Sequence, residues 1–278
     1  MSRLAERSVS ARDTVAARLR GSGSVYAEEE ADLLLDRFAG PELEAAVRER
    51  LAGVPLEHIV GWAQFADLRI AVAPGVFVPR RRTELLLELA LANLPPRGTL
   101  VELCCGAAAV ATAVATRRTD VAVHASDLDP VSVACARRNL EPVGGRVGQG
   151  DIDSGVPPEL AGAVDVLVAN APYVPTEQIG LMPTEARDHE PRLALDGGAD
   201  GTAVQARVVA AAGRLLRPGA VLLLECAASQ AEATAALMVQ GGLTPRVMRD
   251  EARAATCVVG RAPGPVGPVR PGSTAEPG

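Results

Sequence analysis

The stretch Thr99-Leu100-Val101-Glu102-Leu103-Cys104-Cys105-Gly106-Ala107-Ala108 sets the fold. An apolar run carrying one acid ends in a turn of small residues, and a further apolar stretch continues to Arg117. A run of that length bounded by a turn reads as a buried strand. The small residues after it open a helix whose free backbone N–H groups can meet an anion. The unit is therefore strand, loop, helix.

Working outward, the unit repeats. Strands are expected over 99–103, 121–126, 146–149, 164–169, 220–225, 243–249 and 255–259. Helices are expected over 83–93, 107–117, 130–140 and 202–216. Asp129 before Pro130 is an N-cap acid ahead of proline at the first helical position. Ser229-Gln230-Ala231-Glu232 reads as a capping box for another helix. Alternating strands and helices predict an α/β, doubly wound, Rossmann-like sheet.

Towards the N-terminus the pattern changes. Residues 54–80 read as short β-like pieces, a hairpin linker with Ile70 and Val72 on one arm and Val76 to Val78 after the Pro74-Gly75 turn. Residues 1–53 read as a small helical domain whose helical pattern begins at Glu28, the first 25 or so residues being polar and small. The sheet domain is expected over 81–261. Residues 262–278, rich in Pro and Gly, are expected to be disordered.

Composition narrows the chemistry. The 278 residues are 48% hydrophobic and 22% charged, and no apolar run reaches the roughly 18 residues of a membrane span. Arg3, Glu6, Arg7, Arg12 and Asp13 leave no signal-peptide core, so a cytoplasmic location is expected. Cys104, Cys105, Cys135, Cys226 and Cys257 form no C-x-x-C pair, which argues against zinc and for reduced core thiols. The sequence has no lysine, which excludes Schiff-base and phosphate-loop lysine chemistry. A net charge of −6 without a basic block favours a protein or small-molecule substrate over nucleic acid.

In such a sheet ligands sit at the carboxyl ends of the strands. Glu102 to Ala108 ends the first strand and lacks the G-x-G-x-x-G spacing of NAD folds. Asp127 ends the second, where an acid can accept both hydroxyls of a ribose. Asp151 follows the third and can accept from an adenine amino group; Asn170-Ala171-Pro172-Tyr173 ends the fourth. One adenosine-type cofactor accounts for all of these, and S-adenosylmethionine suits the short first loop better than NAD. The tetrapeptide also has the residue types of an ordinary turn. Its neighbours favour a site for a planar nitrogen. An amide nitrogen is a poor nucleophile, so its two N–H bonds need fixed acceptors. The Asn170 oxygen and the Ala171 carbonyl, held extended by Pro172, supply two, and Tyr173 can lie against the substrate.

The chain resembles the release-factor glutamine N5-methyltransferases over about 54–260. The resemblance rests on Val54-Pro55-Leu56-Glu57-His58-Ile59-Val60-Gly61, Phe77-Val78-Pro79-Arg80 with Thr83-Glu84, the tetrapeptide, and Glu190-Pro191-Arg192-Leu193-Ala194-Leu195-Asp196-Gly197-Gly198. It implies a class I S-adenosylmethionine-dependent methyltransferase with a helical substrate-recognition domain, acting on a glutamine of a protein such as a release factor. It further implies that Glu102, Cys104, Cys105, Gly106, Ala107 and Ala108 bind the cofactor, Cys104 to Ala108 at its methionine end. Asp127 would hold the ribose, Asp151 and Ile152 would flank adenine, and Asn170 to Tyr173 would hold the substrate amide.

The sequence also departs from the family pattern. The family's D-x-G-x-G-x-G loop appears with Glu102 as the acid and with Cys104 and Ala108 in place of the outer glycines. Asn-Pro-Pro-Tyr becomes Asn-Ala-Pro-Tyr, and Arg81-Arg82 replaces Pro-Glu or Pro-Asp, reversing the charge at the substrate entrance. These departures fit a divergent paralogue. They leave open a methyltransferase for another planar nitrogen, on a small molecule or in nucleic acid, and a non-catalytic homologue with a decayed loop.

Overall fold

The computed structural model describes residues 2–264 and begins with four helices, α1 (Ser2–Gly21), α2 (Ala27–Arg37), α3 (Gly40–Leu51) and α4 (Leu56–Val60). Val15, Leu19, Leu34, Val47 and Val60 form their shared core. Two expectations are corrected here. The polar first segment is a long helix, because Val15, Ala16 and Leu19 fall on one face and are buried among its charges. The stretch after Gly53 opens with α4 rather than a β-like piece, since Leu56, Ile59 and Val60 turn together into the helical core.

The hairpin that follows pairs β1 (Trp62–Phe65) with antiparallel β2 (Leu68–Ala71) around an Ala66-Asp67 turn. The second arm was expected after Pro74-Gly75. Val76 and Val78 instead run through the main core without a strand partner. A 3₁₀ turn at Arg81–Thr83 leads into α5 (Glu84–Asn93).

Next come β3 (Thr99–Leu103), α6 (Ala109–Arg117), β4 (Ala122–Asp127), α7 (Pro130–Leu140), β5 (Arg146–Gln149) and β6 (Val164–Ala169). They are followed by α8 (Thr184–His189), α9 (Arg192–Leu195), α10 (Ala203–Leu215), β7 (Leu216–Glu225), α11 (Ala231–Gln240), β8 (Thr244–Asp250) and β9 (Ala255–Arg261). The sheet order is β5-β4-β3-β6-β7-β9-β8. The first five of these strands are parallel, and β9 runs antiparallel to both β7 and β8.

Both faces of the sheet are covered, which is why β6 is buried at every position and reads as a continuous apolar run. One face packs against α5, α6 and α7 through Leu86, Val110 and Val133, the other against α10 and α11 through Val208, Ala212 and Met238. Successive strands leave β3 in opposite directions, to β4 on one side and β6 on the other. The switch point therefore lies beside Leu103 and Ala169.

The expected capping box is absent. A 3₁₀ turn at Ala228–Gln230 precedes α11, and the Gln230 side chain accepts from the Ala227 amide at 3.4 Å. The expected disorder over 262–278 lies outside the described residues from 265 onward.

Candidate active site

At the carboxyl ends of β3, β4, β5 and β6 lies a cavity of about 730 Å³. Its wall includes Glu102, Cys104 to Ala107, Asp127, Asp151, Ile152 and all four residues of the tetrapeptide. Ala108 lies just behind this wall, fully buried. Residues separated by up to 71 positions are thus brought to one surface by strand order alone.

The loop after β3 turns left-handed at every second residue, with φ of 52° at Cys104, 53° at Gly106 and 56° at Ala108. These are the three glycine positions of the family loop, and only Gly106 is unstrained there. A side chain in this region costs about 1 kcal/mol or more, so the surroundings must hold it. Asp127 Oδ2 accepts the Gly106 amide at 2.8 Å, while its Oδ1 accepts the Asp129 amide at 2.9 Å. Glu102 Oε2 accepts the Ala111 amide at 2.7 Å in the first turn of α6. Burial pushes the Glu102 carboxyl up to about 8, against the Ala111 and Val110 amides that favour its ionised form. Burial likewise raises Asp127, with the Gly106 and Asp129 amides opposing it. Burial also pushes the Cys104 thiol up to about 12 and Cys105 well above its ordinary value, so both are protonated thiols rather than nucleophiles.

Asp151 lies two residues past β5 and pairs with Arg207 of α10 at 2.6 Å, both side chains about half exposed. Ile152 beside it is buried and left-handed, φ 56°. Sequence reasoning missed Arg207, whose partner is 56 positions away.

The tetrapeptide follows β6 directly. Asn170 Nδ2 donates to Thr83 Oγ1 at 3.4 Å, which turns the Asn170 oxygen away from Thr83. Neither that oxygen nor the buried Ala171 carbonyl accepts a hydrogen bond from any described residue, and both residues line the cavity. The Tyr173 hydroxyl lies 3.5 Å from Glu225 Oε1, which also accepts Arg82 Nε at 3.0 Å. Burial pushes the Tyr173 phenol up to about 12, with the Glu225 charge adding to the shift.

Residues 190–201 brace the tetrapeptide from behind. Val174 donates to the Leu195 carbonyl and accepts from Gly197, both at 2.9 Å, in an isolated parallel bridge to Asp196. Gln230 Nε2 donates to the Tyr173 carbonyl at 2.8 Å and to the Asp200 carbonyl at 3.2 Å. Glu190 accepts Val78 N–H at 3.2 Å and Arg80 Nη2 at 2.6 Å, and the Arg80 guanidinium lies 5.2 Å from the Phe77 ring centre. The long Glu190 to Gly198 motif and the Phe77 to Arg80 motif are therefore in contact. Farther out, Arg50 of α3 pairs with Glu30 at 2.8 Å and also with Glu185 of α8, tying the helical layer to the cavity wall.

The family model described as "Methyltransferase small domain" matches residues 67–186. A release factor glutamine methyltransferase of Mycolicibacterium smegmatis is 42% identical over 71% of this chain and 69% of its own length. A 4-amino-L-phenylalanine/4-methylamino-L-phenylalanine methyltransferase of Streptomyces pristinaespiralis is 40% identical over 69% of this chain and 67% of its own. A methyltransferase crystal structure from Pyrococcus furiosus superposes with a TM-score of 0.54 at 18% identity, covering 72% of this chain and 90% of that one. That likeness is one of fold.

Proposed function

Because this chain belongs to the release factor glutamine methyltransferase family, we propose that it transfers a methyl group from S-adenosylmethionine to the side-chain nitrogen of a glutamine in a protein, a release factor being the leading acceptor. The cavity suits both partners. Its volume of about 730 Å³ lies in the usual range for a cofactor site, and the tetrapeptide lines it together with the other strand ends. S-adenosylmethionine, when bound, supplies a methyl group already activated on a sulfonium, so the protein needs no catalytic acid.

The chain's own residues divide the work of holding. Cys104 to Ala108 would carry the methionine end, Asp127 the ribose, and Asp151 with Ile152 the adenine. Asp127 is already committed to two backbone amides, and the remaining lone pairs of its oxygens are available to hydroxyls. Asn170 would take one N–H of the acceptor amide on its oxygen and Ala171 the other on its carbonyl, aiming the nitrogen along the cavity. The neutral Tyr173 ring would pack beside it. A cytoplasmic site of action fits this substrate, and no described helix is long and apolar enough to cross a membrane.

The observation that carries this reading is the pair of unclaimed acceptors at Asn170 and Ala171, two residues that line the same cavity as the other strand ends. Incubation with labelled S-adenosylmethionine and glutamine-containing proteins, followed by mapping of the label, tests it. Label is expected on a glutamine side chain and is lost in Asn170→Ala, with thermal unfolding little changed. Label found only on small arylamines, the acceptor named for the Streptomyces pristinaespiralis relative, would overturn the glutamine assignment.

A further inference from the structure

We propose that Arg82 selects acceptors that carry a carboxylate in addition to the nitrogen being methylated, a specificity that rests on the N-methyltransferase reading above. Arg82 lines the cavity with a side chain 40% exposed, and one edge of its guanidinium is anchored by Nε to Glu225 at 3.0 Å. The guanidinium also interacts with the Tyr173 hydroxyl, and its terminal nitrogens bond to no carboxylate among the described residues. A guanidinium is a planar fork, the geometry that grips a carboxylate through two parallel hydrogen bonds.

The placement is fixed at two points. Thr83 bonds to Asn170 and Arg82 shares Glu225 with Tyr173, so the Arg81–Thr83 turn is registered on both ends of the tetrapeptide. The guanidinium therefore stands beside the ring that flanks the acceptor nitrogen. Glu225 is only 3% exposed and its Oε2 has no partner, so it anchors Arg82 from within and offsets part of its charge. The charge reversal seen in the sequence thus places the Arg82–Glu225 ion pair at the acceptor end, with the guanidinium as its exposed member. A neutral or cationic neighbour on the acceptor gains nothing there, whereas a carboxylate completes the fork.

Two sources share this chemistry, an acidic residue next to glutamine in a peptide and the carboxylate of a free amino acid with a ring amine. The test uses the full chain, labelled S-adenosylmethionine and two matched acceptor pairs: a Gln-Asp against a Gln-Asn peptide, and an aminophenyl amino acid against its decarboxylated amine. KM is expected to favour the acidic member of one pair by about tenfold, the factor one hydrogen bond to a charged group carries. The pair that shows the preference identifies the source. Arg82→Gln should bring the ratio towards one, and Arg82→Lys should keep part of it.

Because Arg82→Gln leaves Glu225 buried without its partner, the double variant Arg82→Gln/Glu225→Gln is measured alongside and should show the same collapsed ratio. Transfer to glutamine with a ratio near one in both pairs overturns the inference and spares the methyltransferase reading. A ratio preserved in both variants overturns it as well. No transfer to any acceptor, with S-adenosylhomocysteine still bound, overturns both.

Discussion

Asp127 Oδ2 accepts the backbone amide of Gly106 at 2.8 Å, joining the end of β4 to the middle of the loop after β3. One carboxylate thereby fixes the loop and faces the cavity. Asp127→Ala removes an acceptor from both the Gly106 and Asp129 amides, at a cost of about 1–3 kcal/mol. S-adenosylhomocysteine affinity measured by calorimetry should fall at least about tenfold, since the loop loses its tie together with the proposed ribose acceptor.

Cys104 and Ala108 occupy left-handed backbone without being glycine, and they should respond differently to correction. Cys104→Gly relieves strain at a partly exposed position and should stabilise the fold by about 1 kcal/mol, raising Tm by about 2–4 °C. Ala108 is fully buried, so Ala108→Gly relieves similar strain but loses about 0.8 kcal/mol of methyl burial. Its Tm should barely move. Equal gains at both sites in a thermal melt would contradict this account.

Gly201 sits at φ +79°, where a Cβ would lie 2.3 Å from the Tyr173 carbonyl oxygen and 2.4 Å from Gln230 Nε2. Gly201→Ala must displace the brace that holds the tetrapeptide. A loss of about 2 kcal/mol or more in chemical denaturation is expected, with kcat falling more than cofactor affinity.

Glu102 titrates in the folded state near 8 against an ordinary 4.5, because burial penalises its ionised form. The folded chain therefore binds this proton more tightly than the unfolded chain does. The contribution of Glu102 to stability is greatest below about pH 4.5, falls as pH rises to about 8 and is flat above that. Glu102→Gln keeps an oxygen for the Ala111 amide and carries no charge. Its stability should decline less than the wild type's between pH 5 and 8, as read from unfolding midpoints across that range.

Much of the candidate site's lining could be read in the sequence because strand-end groups announce themselves. Asp127 and Asn170 stand out as a polar residue closing an apolar run, and strand order then gathers them without further information. The departures at Cys104 and Ala108 were visible too, but not that both would keep a glycine's backbone. That depends on the Asp127 tie across 21 positions. Ser229 and Glu232 gave a misleading signal. Their spacing suits a capping box, yet α11 starts after Gln230 and no side chain caps it. The first helix was hidden for a different reason. Val15, Ala16 and Leu19 form a narrow apolar stripe among arginines, and only packing against α2 and α3 makes that stripe sufficient.

The reversed last strand has a practical corollary. Because β9 runs against β7, Ala262 N–H donates to the Ala220 carbonyl and Gly219 N–H to the Pro263 carbonyl, both at 2.9 Å. The chain thus leaves the sheet at the amino end of β7, about 20 Å along the strand from Glu225 and the cavity mouth. A fluorescent label, surface tether or affinity handle attached after Gly264 is anchored on the far side of the sheet, so immobilised protein can be assayed with its mouth facing solution.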